Sequence, residues 1–521
     1  MIAKEWDRVR VKFHWNLTEP GISSIWSRGP AFPLNHRGSF CIVGADDMSI
    51  KFGTSGWRAV FAEDFTFENV RKLTHVISAH VKESLEFGFN SPDYAQAASS
   101  MSSLAPLVVV GYDSRFLSEE FARETAEVFA INGVRVFLAD AESPTPAVAW
   151  AVLAHKAVGG VVITASHNPA KYNGYKWTPF WGGPATPAVT EDIERRLALL
   201  GHHAIRSMNY EKAIRDGWIV RVDLRKPFFK QIGGLLDLKK IKASKLKIGV
   251  DALNGAARGY LRPFLEGLGL TVEGNREGRD VLFGGRSSEP TPEALAPLAA
   301  LMKAKKLDLG LSCDGDADRF GIMDAGGVWI SANDVLALTL YHLVENRGMS
   351  GAVARSIMTS HFVDAVAKAH GLRVRETPVG FKYIGDLLRG GGFLLGGEES
   401  GGLSIAGHVP EKDGILACLL MLELIAFERK PLAKIREQLF KKYGEFHNVQ
   451  LNFHLDGPTL SRDLSDRLKV KPPTILAGSS VAAGLGLITF SGGPRAGQAG
   501  AAFFARSDGA AAPADSAPAV S

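Results

Sequence analysis

The chain has 521 residues, too many for one hydrophobic core and enough for about three or four domains. With 46% hydrophobic and 22% charged residues it has the balance of a folded globular protein. Its net charge of +5 suits small anions, yet no long Lys/Arg block or membrane-length apolar run marks a nucleic-acid or membrane partner. Three scattered cysteines, Cys41, Cys313 and Cys418, exclude a disulfide framework and point to the cytoplasm.

Residues 1–47 are rich in Trp, Arg, Pro and Gly and show neither helical nor strand periodicity. They are expected to be a disordered leader, with Met48 as the natural start. Organised sequence begins at Met48-Ser-Ile-Lys-Phe-Gly-Thr-Ser-Gly-Trp-Arg58, and from there strand and helix alternate. Leu107 to Gly111 reads as a short buried strand. Ser118 to Asn132 reads as a helix, with Glu119 and Glu120 near its start and Gly133 ending it. Strands follow at Val134 to Ala139 and Gly159 to Ile163, with a helix near Pro146 between them. The pattern recurs at Leu246 to Asp251, at Leu307 to Leu311 and at Gly392 to Leu395, each strand running into a polar loop. Such alternation predicts α/β layers with parallel strand pairs. Beyond Glu445 the texture changes: Phe446 to Leu455 is strand-like and Asp463 to Val470 helical, and Gly509 to Ser521 is low-complexity.

Three loops carry the chemistry. In the first, Gly159-Gly-Val-Val-Ile-Thr-Ala-Ser-His-Asn-Pro169, an apolar strand stops at small polar residues and a proline. Ser166 therefore sits at a strand end, where open α/β sheets put their chemistry. His167 stands beside it and Lys176 within one hairpin's reach. A serine needs such a base, a cation or a metal to act as nucleophile. The second loop, Cys313-Asp-Gly-Asp-Ala-Asp-Arg319, sets three carboxylates at alternate positions, able to converge on one hard cation. An EF-hand is excluded, because Arg319 and Ala325 stand where that loop requires glycine and a bidentate glutamate. The third, Gly396-Gly-Glu-Glu-Ser-Gly-Gly402, joins backbone freedom to two carboxylates and a hydroxyl, a grip for vicinal sugar hydroxyls. Arg58, Lys382 in Pro378-Val-Gly-Phe-Lys-Tyr383 and the string Gly407-His-Val-Pro-Glu-Lys-Asp-Gly414 add polar groups that could equally be caps or surface charges.

Taken together and in order, these strings resemble the α-D-phosphohexomutase family from Met48 to Ala477. The resemblance implies three similar mixed α/β domains around a central cleft and a smaller, incomplete α+β fourth domain. The expected divisions are 48–215, 216–324, 325–440 and 441–495, with a disordered tail over 496–521. It implies reversible phosphoryl transfer on hexose phosphates, glucose 1-phosphate to glucose 6-phosphate and also mannose phosphates, through a phosphoserine and a bisphosphosugar. Ser166 would carry the phosphoryl group, with His167, Lys176, Arg58 and Arg319 as its catalytic neighbours. Asp314, Asp316 and Asp318, together with Ser166, would hold Mg²⁺. Glu398, Ser400, Gly397 and Lys382 would bind the sugar. Glucose 1,6-bisphosphate would serve as activator, and the enzyme would be a monomer or weak dimer. One departure stands out: the family's Arg-x-Ser-Gly-Thr-Glu-Pro phosphate clamp is missing, and Phe490-Ser-Gly-Gly-Pro-Arg495 is the nearest string. The resemblance stops near Gly478, as a frameshift or truncation would make it, so weak turnover and poor order beyond that residue are expected. The alternative is a sugar-phosphate-binding remnant, non-catalytic or weakly hydrolytic.

Overall fold

The computed structural model describes residues 50–53, 56–87, 105–201 and 204–446, and the strands at 449–454, 475–476, 479–480, 489–490 and 498–503. The leader, Thr54 and Ser55, the helix expected over Asp463–Val470, Arg495 and everything past Phe503 lie outside the described residues.

The first sheet contains β1 (Trp57–Val60), β2 (Leu107–Tyr112), β3 (Arg135–Ala139), β4 (Gly159–Ile163), β5 (Tyr172–Pro179) and β6 (Ile219–Val222), in the order β1-β5-β4-β2-β3-β6. Strands β4, β2, β3 and β6 run parallel, while β5 turns back against β4 and β1 against β5. Both faces are covered. Val108, Val110, Val161 and Ile163 enter one apolar cluster with Phe121 and Phe129 of the helix Ser118–Ile131. Their neighbours Val109 and Val162 enter another with Val148 and Val152 of the helix Thr145–Ala154. A strand buried on both sides reads as an unbroken apolar run, which is why β2 and β4 are legible in the sequence.

The second sheet takes β7 (Lys247–Asp251), β8 (Thr271–Asn275), β9 (Leu309–Cys313), β10 (Phe320–Asp324) and β11 (Val328–Ile330), in the order β11-β10-β9-β7-β8. The third takes β12 (Ala352–Ser356), β13 (Val374–Thr377), β14 (Phe393–Glu398) and β15 (Gly402–Ile405), in the order β13-β12-β14-β15. One order recurs in all three sheets: β5-β4-β2-β3, β10-β9-β7-β8 and β15-β14-β12-β13. In each, the hairpin between the outermost strand of the parallel set and its antiparallel neighbour is one of the three chemically loaded loops. Equivalent positions in three repeats thus supply the serine, the aspartates and the Glu-Glu-Ser string.

The helix Gly414–Glu428 is buried from Gly414 to Ala426. Its Leu416, Leu420 and Met421 share a core with Ile248 and Leu311 of the second sheet and Leu395 and Ile405 of the third. Each such side chain, removed from water, contributes on the order of 1.5–3 kcal/mol. Second and third sheets are therefore held by one continuous core. After the helix Leu432–Tyr443, β16 (Val449–His454) pairs antiparallel with Gln498–Phe503, which also pairs with Thr489–Phe490, and Ile475–Leu476 pairs with Ser479–Ser480. Of the tail expected over 496–521, only the strand Gln498–Phe503 lies within the described residues. Among the described residues no helix is long and apolar enough to cross a membrane.

Candidate active site

The loop after β4 puts Ser166 in a left-handed backbone conformation, φ 53°, which turns both its peptide groups inward. Its N–H donates to Thr164 Oγ1 at 2.8 Å. Its hydroxyl donates to Asp314 Oδ2 at 2.7 Å, across from the first sheet to the second, and lies 3.4 Å from His167 Nδ1. Ser166 is almost wholly buried, so that contact is made in a low dielectric. Burial, reinforced by Arg319 and Arg58, holds the His167 imidazole well below its ordinary pKa. That shift favours the neutral imidazole.

Asp314, Asp316 and Asp318 are buried, and one oxygen from each lies within 4.8 Å of the others. Their remaining partners come from all three repeats. Asp314 Oδ1 accepts the Arg319 N–H. Asp316 Oδ2 accepts from Lys176 Nζ at 2.6 Å and from the Thr145 hydroxyl. Asp318 Oδ2 accepts from Lys176 Nζ at 2.9 Å and lies 3.0 Å from Lys412 Nζ. Burial, then Asp316 and Asp318, push the Asp314 carboxyl well above its usual range. Asp318 goes the other way: burial opposes its charge, but Lys176, Lys412 and Arg319 prevail and hold it well below. Burial also works against the Lys176 ammonium, and Asp316 with Asp318 more than offset it.

Does this cluster fit a metal? Asp316 Oδ1 and Asp318 Oδ1 are buried without any hydrogen-bond partner, which is costly for a carboxylate. Two orphaned acceptors and a carboxyl forced towards its neutral form, all hard oxygens, are what a small divalent cation would satisfy.

The remaining expected residues are gathered unevenly. Arg58, on β1, donates to Asn168 Oδ1 at 3.0 Å and so braces the serine loop. Arg319 Nη1 meets Glu289 Oε1 at 3.0 Å, while its Nε is buried and unpaired. In the third loop Glu398 is buried, its carboxyl raised by that burial, and its Oε1 accepts the Gly380 N–H at 2.8 Å. Glu399 turns to its own sheet and accepts from Ser356 Oγ at 2.7 Å. Ser400 is half-buried at the β14–β15 turn. Gly397 has a packing reason to be glycine: a Cβ there would meet Leu336 Cδ2 at 2.2 Å. Lys382 lies over the Tyr383 ring, 5.2 Å from its centroid, and joins no group of the cluster.

Among the residues not singled out from the sequence are Lys412 and Arg115. Lys412 occurs in a string that reads as a helix cap, which Asp413 indeed provides by accepting the Leu416 N–H at 2.9 Å. The adjacent lysine enters the site because the helix Gly414–Glu428 starts against the aspartate loop, where Gly414 N–H donates to Ala317 O at 3.0 Å. Arg115, in the turn after β2, reaches the serine loop's carbonyl groups; no local pattern announces a contact 51 residues away.

Comparison with known proteins gives three successive family matches. They are described as phosphoglucomutase/phosphomannomutase, alpha/beta/alpha domain I over residues 49–200, domain II over 226–327 and domain III over 331–443. The phosphoglucomutase of Komagataeibacter xylinus is 29% identical over 436 residues, covering 78% of this chain and 75% of that protein. A phosphoglucomutase/phosphomannomutase of Thermococcus kodakarensis is 30% identical over 413 residues, covering 79% and 84%. Among solved structures, a Thermus thermophilus protein assigned as a phosphomannomutase superposes with a TM-score of 0.69 at 33% identity, over 79% of this chain and 90% of that one.

Proposed function

The chain belongs to the phosphoglucomutase/phosphomannomutase family, and we propose that it interconverts glucose 1-phosphate and glucose 6-phosphate, and mannose phosphates, through a phosphoserine at Ser166. Phosphoryl transfer on hexose phosphates makes it an isomerase. The remnant without turnover is not favoured, since relatives across most of its length are named mutases. The observation that carries the proposal is the 2.7 Å contact between Ser166 Oγ and Asp314 Oδ2, made beside Lys176 and Lys412.

Phosphoryl transfer rests on positioning and charge stabilisation more than on covalent participation by the protein. Phosphorylated on Ser166, the enzyme passes the group to the 6-hydroxyl of glucose 1-phosphate: the O6–P bond forms as the Ser166 Oγ–P bond breaks. The bisphosphosugar then turns and returns its 1-phosphoryl to Ser166 Oγ, leaving glucose 6-phosphate. The proton released by O6 ends on Ser166 Oγ, and in the return step the Oγ proton ends on the sugar O1, with neutral His167, at 3.4 Å from Oγ, placed to exchange it. Lys176, Arg58 and Arg319 offset the charge of the group in flight. Mg²⁺ held by Asp314, Asp316 and Asp318 would supply further charge neutralisation at the phosphoserine. Glu398 and Ser400 accept from and donate to sugar hydroxyls, with Gly397 and Lys382 proposed as further sugar-binding residues. Glucose 1,6-bisphosphate primes the serine. We infer a cytoplasmic location, in keeping with free, buried Cys313 and Cys418.

The test offers glucose 1-phosphate with a trace of glucose 1,6-bisphosphate and Mg²⁺, and follows glucose 6-phosphate through a coupled dehydrogenase. Steady formation of glucose 6-phosphate is expected. Release of inorganic phosphate alone, or neither product, would overturn the proposal.

A further inference from the structure

The Ser166 loop is held from beneath by one buried side chain. Arg115 is fully buried, and its five guanidinium N–H groups all have acceptors. Nη2 donates to Ser166 O at 2.6 Å and Asn168 O at 2.7 Å. Nη1 donates to Pro169 O at 3.0 Å and Tyr172 O at 2.9 Å. Nε donates to Asp113 Oδ2 at 3.0 Å. Asp113 closes the circuit: Oδ2 accepts the Thr164 hydroxyl at 2.6 Å, and Thr164 Oγ1 in turn accepts the Ser166 N–H at 2.8 Å. Both peptide groups of Ser166 are thus tied to one Asp–Arg pair. From the second repeat, Ser288 Oγ donates to Ser166 O at 3.2 Å, and the Phe283 ring centroid lies 4.9 Å from Arg115 Cζ.

This arrangement does more than fill space. A non-glycine residue at φ 53° is held in a sparsely occupied region and stays there only if its surroundings impose it. If Ser166 gains and loses a phosphoryl group every turnover, its backbone must keep one conformation through both states. We propose that Arg115 is a positioning residue for this chemistry: by gripping four carbonyl groups of the loop it fixes the left-handed Ser166 and aims its Oγ at Asp314. The inference rests on the functional proposal above, but assigns Arg115 a part in the transfer step and none in binding sugar.

The experiment compares wild type with Arg115→Lys and Arg115→Ala, each first checked for a cooperative thermal transition, using glucose 1-phosphate, glucose 1,6-bisphosphate and Mg²⁺. Lysine keeps the charge but not the planar fork that spans several carbonyls. Both variants should lose about a hundredfold in kcat, the usual scale for a nucleophile misplaced by an ångström, with KM within about threefold. Phosphorylation of Ser166 by the bisphosphate should slow in parallel. Millimolar guanidinium, which fits the space left in Arg115→Ala, should recover part of kcat, whereas tetramethylammonium at equal strength should not. A merely structural arginine would not give this split and rescue. A folded variant with wild-type kcat, a loss confined to KM, or a folded Arg115→Ala deaf to guanidinium overturns the inference. Should both variants fail to fold, Thr164→Val decides: it cuts the link to Ser166 N–H, and a kcat unchanged there overturns the proposal just as well. A wild type that neither takes phosphate from the bisphosphate nor forms glucose 6-phosphate breaks the functional reading instead.

Discussion

Gly315→Ala is a small change with a large expected effect, because Gly315 is where the aspartate loop presses on the serine loop. A Cβ at Gly315 would stand 2.4 Å from Ser166 O, 2.9 Å from Ser288 Oγ and 3.3 Å from Ser166 C. The Ser288 hydroxyl can rotate away. The Ser166 carbonyl cannot, since Arg115 Nη2 grips it at 2.6 Å. Nor can the aspartate loop retreat freely, as Gly315 O is held by the Ala256 N–H at 2.9 Å. Relieving the overlap requires the loops to part by about 0.8 Å, an overpacking that costs on the order of 1–3 kcal/mol. The Ser166 Oγ–Asp314 Oδ2 contact of 2.7 Å lies across the gap that opens. Misplacement on that scale costs about a hundredfold in rate. The assay is kcat and KM for glucose 1-phosphate alongside a thermal melt. The expectation is a folded protein with a lowered melting temperature, kcat down about a hundredfold and KM little changed. A variant with both melting temperature and kcat at wild-type values would refute the reasoning.

Exhaustive chelation should abolish turnover, and Mg²⁺ titration should restore it saturably, because Asp316 Oδ1 and Asp318 Oδ1 have no other partner; full activity in chelator would contradict a catalytic ion. Glu398→Gln should lower kcat/KM for hexose phosphates while Ser166 still accepts phosphate from the bisphosphate, and equal loss of both would contradict a sugar-reading role. Burial pushes the Glu411 carboxyl up to about 7 against the pull of Lys412 and Lys176. A raised carboxyl binds its proton more tightly folded than unfolded, so its stabilising contribution is present at low pH and is lost as pH rises through 7. Between pH 4.5 and pH 8, in chelator, wild type should therefore lose about 3 kcal/mol more stability than Glu411→Gln; superimposable pH profiles would contradict this.

Much of this site is legible locally because its chemistry is concentrated in three hairpins. The run Gly159–Ile163 is buried on both faces, so apolar residues and the abrupt polar stop at Thr164 mark strand and loop without help from the rest of the chain. The aspartates alternate with Gly315 and Ala317, a spacing that converges wherever the loop is placed. What stays hidden depends on contacts made across the sequence. Lys412 reaches Asp318 only because a buried helix is seated against the aspartate loop. Arg115 looks like a polar residue in a turn until the parallel pairing of β2 and β4 sets it under the serine loop. The adjacent carboxylates Glu398 and Glu399 look interchangeable in sequence. Glu398 ends β14 and accepts the Gly380 N–H, whereas Glu399, the first residue of the turn, accepts from Ser356 Oγ. The strand at Gln498–Phe503 is hidden for a different reason: backbone pairing leaves no mark on a run of small residues.

Phosphoryl transfer through Ser166 is tested most directly by following the group itself. The purified protein is incubated with Mg²⁺ and glucose 1,6-bisphosphate labelled in its phosphates, digested, and the peptide containing Ser166 is weighed before and after a chase with unlabelled glucose 1-phosphate. The expected result is one phosphate on Ser166, lost in the chase as label appears in hexose phosphates, with Ser166→Ala retaining less than about a thousandth of the rate. Turnover without label on Ser166, or a Ser166→Ala variant near wild-type rate, would contradict it.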